Sequence, residues 1–241
     1  MENSKDEQCD ELAWRIGGPQ GSGIDRLANV FGRTCASHGL SVFGRREYHS
    51  NIIGRHSYVD YCISPDVVTS HRESPHILVT FEAESLCRHL DCVDDGGWVV
   101  YSDGDAQVSL DSPPFLDSQL KKILSDKLTE AHQPCNTAGL LEMARQRGVQ
   151  LIAIPYSAMI MTLASEFGTS RNQASLATNT LAVAASAAVL GLSDNRLIAA
   201  LENVFGQDHQ ALELNTRAVE IAYEFINQLC GAAASQACLL Y

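Results

Sequence analysis

Apolar residues recur along this chain in two alternating rhythms. Short, nearly continuous apolar runs fall at 12–16, 40–43, 57–63, 77–81, 98–101 and 151–155, the pattern of strands covered on both faces. Between them lie segments with helical spacing at 24–38, 84–91, 116–130 and 136–147. In the first of these, Ile24, Leu27, Ala28, Phe31 and Cys35 form one stripe. Residues 85–90 followed by Asp95-Gly96-Gly97 read as a short helix stopped by glycine ahead of the next strand. The alternation predicts an α/β fold: a mostly parallel, Rossmann-like sheet with right-handed crossovers and helices on both faces.

Beyond Pro155 the pattern is helical only. Residues 174–191 are dominated by Ala, with Ser175, Thr178 and Ser186, a composition that lets backbones approach closely. Ser193-Asp194 reads as the cap of a helix carrying Leu197, Ile198, Leu201 and Phe205. A last helix carries Leu212, Asn215, Val219, Ala222 and Ile226. The expectation is one domain over 12–229 whose helical C-terminal third packs on the sheet. A disordered polar tail over 1–11 and a second tail over 230–241 flank it.

Composition narrows the function. With 45% apolar and 19% charged residues in 241, the chain is an ordinary globular protein with room for a sizeable core. A formal charge of −12 argues against nucleic-acid binding. Between Arg15 and Arg55, however, six Arg stand against Asp25 and Glu47, a local excess of +4. Such a basic island suits an anionic ligand or an acidic partner surface. The eight cysteines include no C-x-x-C pair, and the closest spacing is Cys87-x4-Cys92, so a zinc or iron–sulfur site is not expected. They read as reduced, mostly buried small residues in a cytoplasmic protein. The N-terminus is acidic and polar, without the apolar core of a secretory signal. The longest apolar stretch, 181–192, is too short for a bilayer. The ending Cys238-Leu239-Leu240-Tyr241 resembles a prenylation box only superficially.

Two segments carry candidate chemistry. The first is Gly17-Gly18-Pro19-Gln20-Gly21-Ser22-Gly23, between a predicted strand and a predicted helix. A glycine-rich turn at a helix N-terminus can aim backbone N–H groups at an anion; it can equally be a tight connection that needs glycine for its angles. It is not a Walker loop, because Ile24 stands where Lys would be. Nor is it a dinucleotide fingerprint, because Arg26 takes the place of the third glycine. The second segment, 43–57, holds Arg45, Arg46, Tyr48, His49, Ser50, Asn51, Arg55 and His56 in a loop between two strands. Their donors suit an anionic group or a partner surface; the bland alternative is a solvated polar hairpin. His38, His71, His76, His89, His132 and His209 are scattered and lack metal-ligand spacing. Asp91, Asp94 and Asp95 beside Gly96-Gly97 are explained by turn chemistry. No nucleophile–base constellation is present, so the chain reads as a binding part with no catalytic residues of its own.

The glycine turn, the Arg46-to-Ser57 loop and the C-terminal helices together resemble the gamma domain of 2-oxoacid:ferredoxin (flavodoxin) oxidoreductases. Residues 17–23 look like that family's G-G-x-Q-G turn. The segment Tyr48-His49-Ser50-Asn51-Ile52-Ile53-Gly54-Arg55-His56-Ser57 resembles its Gly- and Arg-containing loop. Asn179-Thr180, Ala185, Gly191, Leu197, Phe205, Asn215 and Ala218 are similar to its C-terminal pattern. The resemblance covers about 12–229 and is nearest to 2-oxoglutarate-type or broad 2-oxoacid members.

It implies a subunit, free or cut from a fused chain, of an enzyme that oxidatively decarboxylates a 2-oxoacid to an acyl-CoA. Thiamine diphosphate, Mg and iron–sulfur clusters would sit in the alpha and beta parts, with electrons leaving to ferredoxin. This part would cover the active site, make assembly contacts and help to hold CoA. Gly17, Gly18, Gln20, Gly21, Ser22 and Gly23 would then form a ligand-binding wall, with Arg46, His49, Ser50, Asn51, Arg55 and His56 facing the ligand or partner parts. Pro19 and Ile53 depart from the family pattern, Pro19 by stiffening the turn and removing a donor. The rival readings are a stand-alone nucleotide- or small-anion-binding module and a purely architectural interaction domain.

Overall fold

The computed structural model describes residues 11–48, 54–112 and 116–230. Apart from Glu11 and Cys230, the two expected tails lie outside the described residues. Six strands form one sheet: β1 (Leu12–Pro19), β2 (Ser41–Tyr48), β3 (His56–Ser64), β4 (Ile77–Thr80), β5 (Trp98–Ser102) and β6 (Gln150–Ile154). Each lies where an apolar run predicts it. Their order is β2-β3-β1-β4-β5-β6. β1, β4, β5 and β6 pair in parallel, while β3 runs antiparallel to both β1 and β2.

The antiparallel flank corrects one expectation. The polar segment after Phe43 is not all loop: β2 continues through Arg45, Arg46 and Glu47 to Tyr48. Nine-residue β3 supplies a backbone partner along that whole length, with Arg46 opposite Val59 and Tyr48 opposite Ser57. Ladder bonds therefore override the polar composition.

Nine helices follow among the described residues: α1 (Ile24–Ser37), α2 (Ala83–His89), α3 (Ser118–Glu130), α4 (Thr137–Gln146), α5 (Tyr156–Glu166), α6 (Arg171–Ala174), α7 (Thr178–Val189), α8 (Asp194–Phe205) and α9 (His209–Cys230). The helix expected over 174–191 is broken by a 3-10 turn at Ser175–Ala177. There the Ser175 hydroxyl donates to the Asn172 carbonyl and the Thr178 hydroxyl to the Ser175 carbonyl, the local competition that favours turns over helix interiors. Ser193 takes the N-cap position of α8, but its hydroxyl makes no capping bond.

The alternation of each parallel strand sorts side chains into two cores. Ile77, Val79, Val100, Ile152 and Ile154 enter the larger core with residues of α1, α5, α7, α8 and α9. Leu78, Val99 and Tyr101 enter the other with residues of α2, α3 and α4. Burial on both faces is why these strands read as continuous apolar runs. On β1, Leu12, Trp14 and Ile16 face the larger core. Trp14 stacks on Phe31 at 4.1 Å between ring centroids, and its indole N–H donates to Ser186 Oγ of α7 at 3.1 Å.

The opposite face of β1 carries a charge. Arg15 lies directly across from Asp60 of β3 and binds it through two bonds, Nε to Oδ1 at 2.5 Å and Nη2 to Oδ2 at 2.9 Å. Both residues are only 4% exposed. Asp60→Ala should therefore cost about 3–5 kcal/mol, because it strands a buried guanidinium. Arg15→Met combined with Asp60→Leu should recover at least half of that loss; urea unfolding of the three proteins measures both.

Candidate functional site

The four parallel strands all end at one edge of the sheet. α1 leaves β1 into the larger core, whereas α2 leaves β4 into the other. The chain path thus reverses between β1 and β4, and open α/β sheets bind ligands beside such a reversal.

At this edge the Ser22 N–H donates to the Pro19 carbonyl at 3.0 Å, closing a turn. Gly21 (φ 87°) and Gly23 (φ 93°) take left-handed backbone angles that disfavour other residues. Gly23 is the N-cap of α1, and no side chain caps that helix. The residues leading into β3 close onto the turn, with the Gln20 N–H donating to Arg55 O at 2.7 Å and the Gly54 N–H to Gln20 O at 2.9 Å. From the far end of the chain, the Asn179 amide donates to Ser22 O at 2.5 Å. With Gln20 and Ser22 bonded internally, the N–H groups of Gly21, Gly23 and Ile24 are left without a bonding partner among the described residues. They lie at the positive end of α1.

The two segments singled out in the sequence thus meet, but not every residue plays the expected part. Gly17 and Gly18 belong to β1 and serve packing. A Cβ on Gly18 would stand 2.5 Å from the Phe81 ring, and one on Gly17 would stand 3.0 Å from Ser85 Oγ. Arg46 pairs with Asp25 in the first turn of α1. Arg55 is exposed beside the turn. His56 does not face the open edge: it is 2% exposed, behind β1. His49, Ser50 and Asn51 lie outside the described residues, as does Ile53.

Behind the turn runs a buried polar chain. Arg15 Nη1 lies 3.3 Å from His89 Nδ1, and His89 Nε2 lies 2.7 Å from His56 Nε2. His56 Nδ1 is 3.4 Å from Ser85 Oγ, which donates to Glu82 at 2.8 Å. A guanidinium can only donate, so His89 accepts at Nδ1 and donates from Nε2 to His56. These contacts explain why polar residues are tolerated on this face.

A cavity of about 880 Å³ opens between the turn, the α6–α7 connection and the α8–α9 corner. Gly21, Arg26, Gln173, Asn179, Phe205 and Asn215 are among its lining residues. The Arg26 guanidinium stands 5.5 Å over the Phe205 ring. Arg26 escaped the sequence reading as a site residue, because its wall comes from helices some 180 positions away.

At the same edge but on the other side lies a group of acids. Burial, together with the charges of Glu82 and Asp103, raises the Asp105 carboxyl from its ordinary 3.8 to about 6. Burial also raises the neighbouring Tyr156 hydroxyl, and the Asp105 charge adds to the effect.

The remaining candidates are structural. The Ala13 N–H donates to His76 Nδ1 at 2.8 Å and the Ser193 N–H to His38 Nε2 at 3.0 Å. Asp91, Asp94 and Asp95 pair with Lys127, Arg72 and Arg147 respectively. Cys35, Cys62 and Cys87 are buried, and Cys92 and Cys135 are exposed. Burial pushes Cys35 and Cys87 up to about 12, which makes both inert. Among the described residues no group of three or more His, Cys, Asp or Glu suits a metal, and no helix is long and apolar enough to cross a membrane.

The chain is thus an α/β domain with a glycine turn and an open cavity at the carboxyl edge of its sheet. The sequence profile of the family described as pyruvate ferredoxin/flavodoxin oxidoreductase matches residues 13–225, and the chain belongs to that family. It is 34% identical over 215 residues to subunit alpha of 2-oxoacid:ferredoxin oxidoreductase 1 from Sulfurisphaera tokodaii, covering 89% of this chain and 34% of that protein. The chain thus spans about a third of the curated relatives it matches. Its fold is shared with a 2-oxoglutarate:ferredoxin oxidoreductase from Magnetococcus marinus (TM-score 0.62, 19% identity, covering 91% of this chain and 31% of that one). It is also shared with the gamma subunit of a keto/oxoacid ferredoxin oxidoreductase from Geobacter sulfurreducens (TM-score 0.56, 17% identity, covering 90% and 99%).

Asp105 makes stability depend on pH in a defined direction. The folded chain keeps its proton up to about pH 6, whereas the unfolded chain releases it near 3.8, so this contribution is full below 3.8 and is lost as pH rises to about 6. Asp105→Asn should remove that loss and stabilise the chain at pH 7 by about 1–2 kcal/mol, allowing for partial solvent screening. Thermal unfolding of both proteins from pH 4 to 7 gives the difference, which should be near zero at pH 4.

Proposed function

We propose that this chain is the gamma part of a thiamine-diphosphate- and iron–sulfur-dependent 2-oxoacid:ferredoxin oxidoreductase. In that role it covers the active site, contacts the alpha and beta parts and binds the anionic portion of CoA at the glycine turn. The observation that carries the reading is the set of unpartnered N–H groups at Gly21, Gly23 and Ile24, at a helix N-terminus that opens on a cavity. Exposed Arg55, held beside the turn by the Gln20 pairing, adds a cationic donor. Family membership supports the reaction class, and the similar Magnetococcus marinus structure contains 2-oxoglutarate, coenzyme A and succinyl-CoA. The gamma assignment is supported by the fold shared with the Geobacter subunit.

Thiamine diphosphate, magnesium and the iron–sulfur clusters would be held by the partner parts. Among the described residues the thiols form no group of three with other His, Cys, Asp or Glu, a poor donor set for a cluster. A 2-oxoglutarate-type substrate, electron transfer through those partners to ferredoxin, and a cytoplasmic location complete the proposal.

In the assembled enzyme, Arg55→Ala should raise the Michaelis constant for CoA about tenfold with kcat little changed, as for loss of one charge-assisted hydrogen bond. Arg46→Ala should do less, since Arg46 is engaged with Asp25. Unchanged CoA kinetics in Arg55→Ala would take the hairpin out of the binding site. A wild-type chain that never assembles beyond its own 26.2 kDa would overturn the subunit reading itself.

A further inference from the structure

At the acid side of the carboxyl edge, two buried side-chain atoms have no hydrogen-bond partner: Asp105 Oδ2 and the Tyr156 hydroxyl. Tyr156 is only 4% exposed. Buried polar atoms of a native protein are rarely left in this state without a reason. Topology puts the two together. β5 and β6 are parallel neighbours, paired as far as Ser102 and Ile154. The Asp103–Asp105 turn and Tyr156 therefore leave the sheet side by side. Glu82 leaves β4 on the other side of β5.

These groups are held in place from behind. The Thr137 hydroxyl donates to the Asp105 carbonyl at 2.6 Å. The Thr80 hydroxyl donates to the Glu82 carbonyl at 2.8 Å, and Ser85 Oγ donates to Glu82 Oε1 at 2.8 Å. Among the described residues no Lys or Arg forms an ion pair with Asp103, Asp105 or Glu82. Three carboxylates thus gather at one edge, with an unpartnered hydroxyl beside them; of the three, Glu82 also lies 3.6 Å from His56 Nδ1.

We propose that this acidic group is a docking point for a basic side chain, a guanidinium or ammonium group, presented by a neighbouring part of the oxidoreductase. The identity of that neighbour rests on the function proposed above; the chemistry of the group does not. A bridging water would satisfy the two orphan atoms but leave the carboxylate charges uncompensated. A metal ion lacks a suitable donor set among the described residues. An organic cation supplies donors for the carboxylates and neutralises their mutual repulsion. The isolated chain then carries a local instability that docking relieves, the pattern expected where function overrides local satisfaction.

The test rests on stability and assembly moving in opposite directions. Asp105→Asn should make the isolated full chain more stable at pH 7 while raising its dissociation constant from the alpha and beta parts about tenfold or more. That loss should shrink at high salt. Tyr156→Phe should weaken assembly by a smaller factor. With the isolated chain, N-acetylarginine amide should raise the Tm of wild type above that seen in equimolar sodium chloride, and should not do so for Asp105→Asn. Equal assembly by wild type and both variants at low and high salt would overturn the proposal. If wild type forms no complex with the alpha and beta parts, the function proposed above falls, and the arginine-amide shift still decides whether the acidic group accepts a cation.

Discussion

The Arg15–Asp60 pair is the constraint on which the arrangement of the site depends. Two opposite charges removed from water must stay paired, and they sit on facing strands at one register. A slip of one residue between β1 and β3 would separate them and would also turn Leu12, Trp14 and Ile16 away from the larger core. The register so held sets Pro19 opposite His56. It thereby delivers Gly54 and Arg55 to the glycine turn, where both bond to Gln20. The placement of a surface turn therefore follows from a buried ion pair several residues away.

Around the carboxyl edge, opposite electrostatic characters lie side by side. Free N–H groups at the start of α1, with Arg26 and Arg55, form a side suited to anions. Glu82, Asp103 and Asp105 form a side that repels them. A chain with a charge of −12 has acid to spare for solubility; what is unusual here is Asp105, whose Oδ2 is buried without a hydrogen-bond partner. Uncompensated charge and an orphaned hydroxyl cost stability in the isolated chain, and they mark the edge as a surface completed by something else.

Much of the fold is legible in the order of residues. All six strands overlap the apolar runs that predict them, and the central ones, buried on both faces, leave an unbroken apolar signature. The glycine turn and the start of α1 are equally legible, since both depend on local backbone angles and a stripe of apolar residues. The extension of β2 through Arg45 and Arg46 was hidden, because it depends on backbone bonds to a partner strand and not on side-chain pattern. The split between α6 and α7 was hidden likewise: local hydroxyl bonds at Ser175 and Thr178 outweigh alanine's helix preference.

Site residues divide along the same line. Sequence alone determined the strand–turn–helix unit, the glycines that permit it and a family resemblance resting on three segments in order. Tertiary structure alone decided that Gly17 and Gly18 are packing glycines, that His56 is buried against His89 and that Asn179 reaches Ser22 across 157 positions. It also decided that Asp105 and Tyr156 share an edge without a partner. Periodicity and turn chemistry act over a few residues and leave a mark in the sequence; burial and charge pairing act between segments whose meeting only the folded sheet brings about.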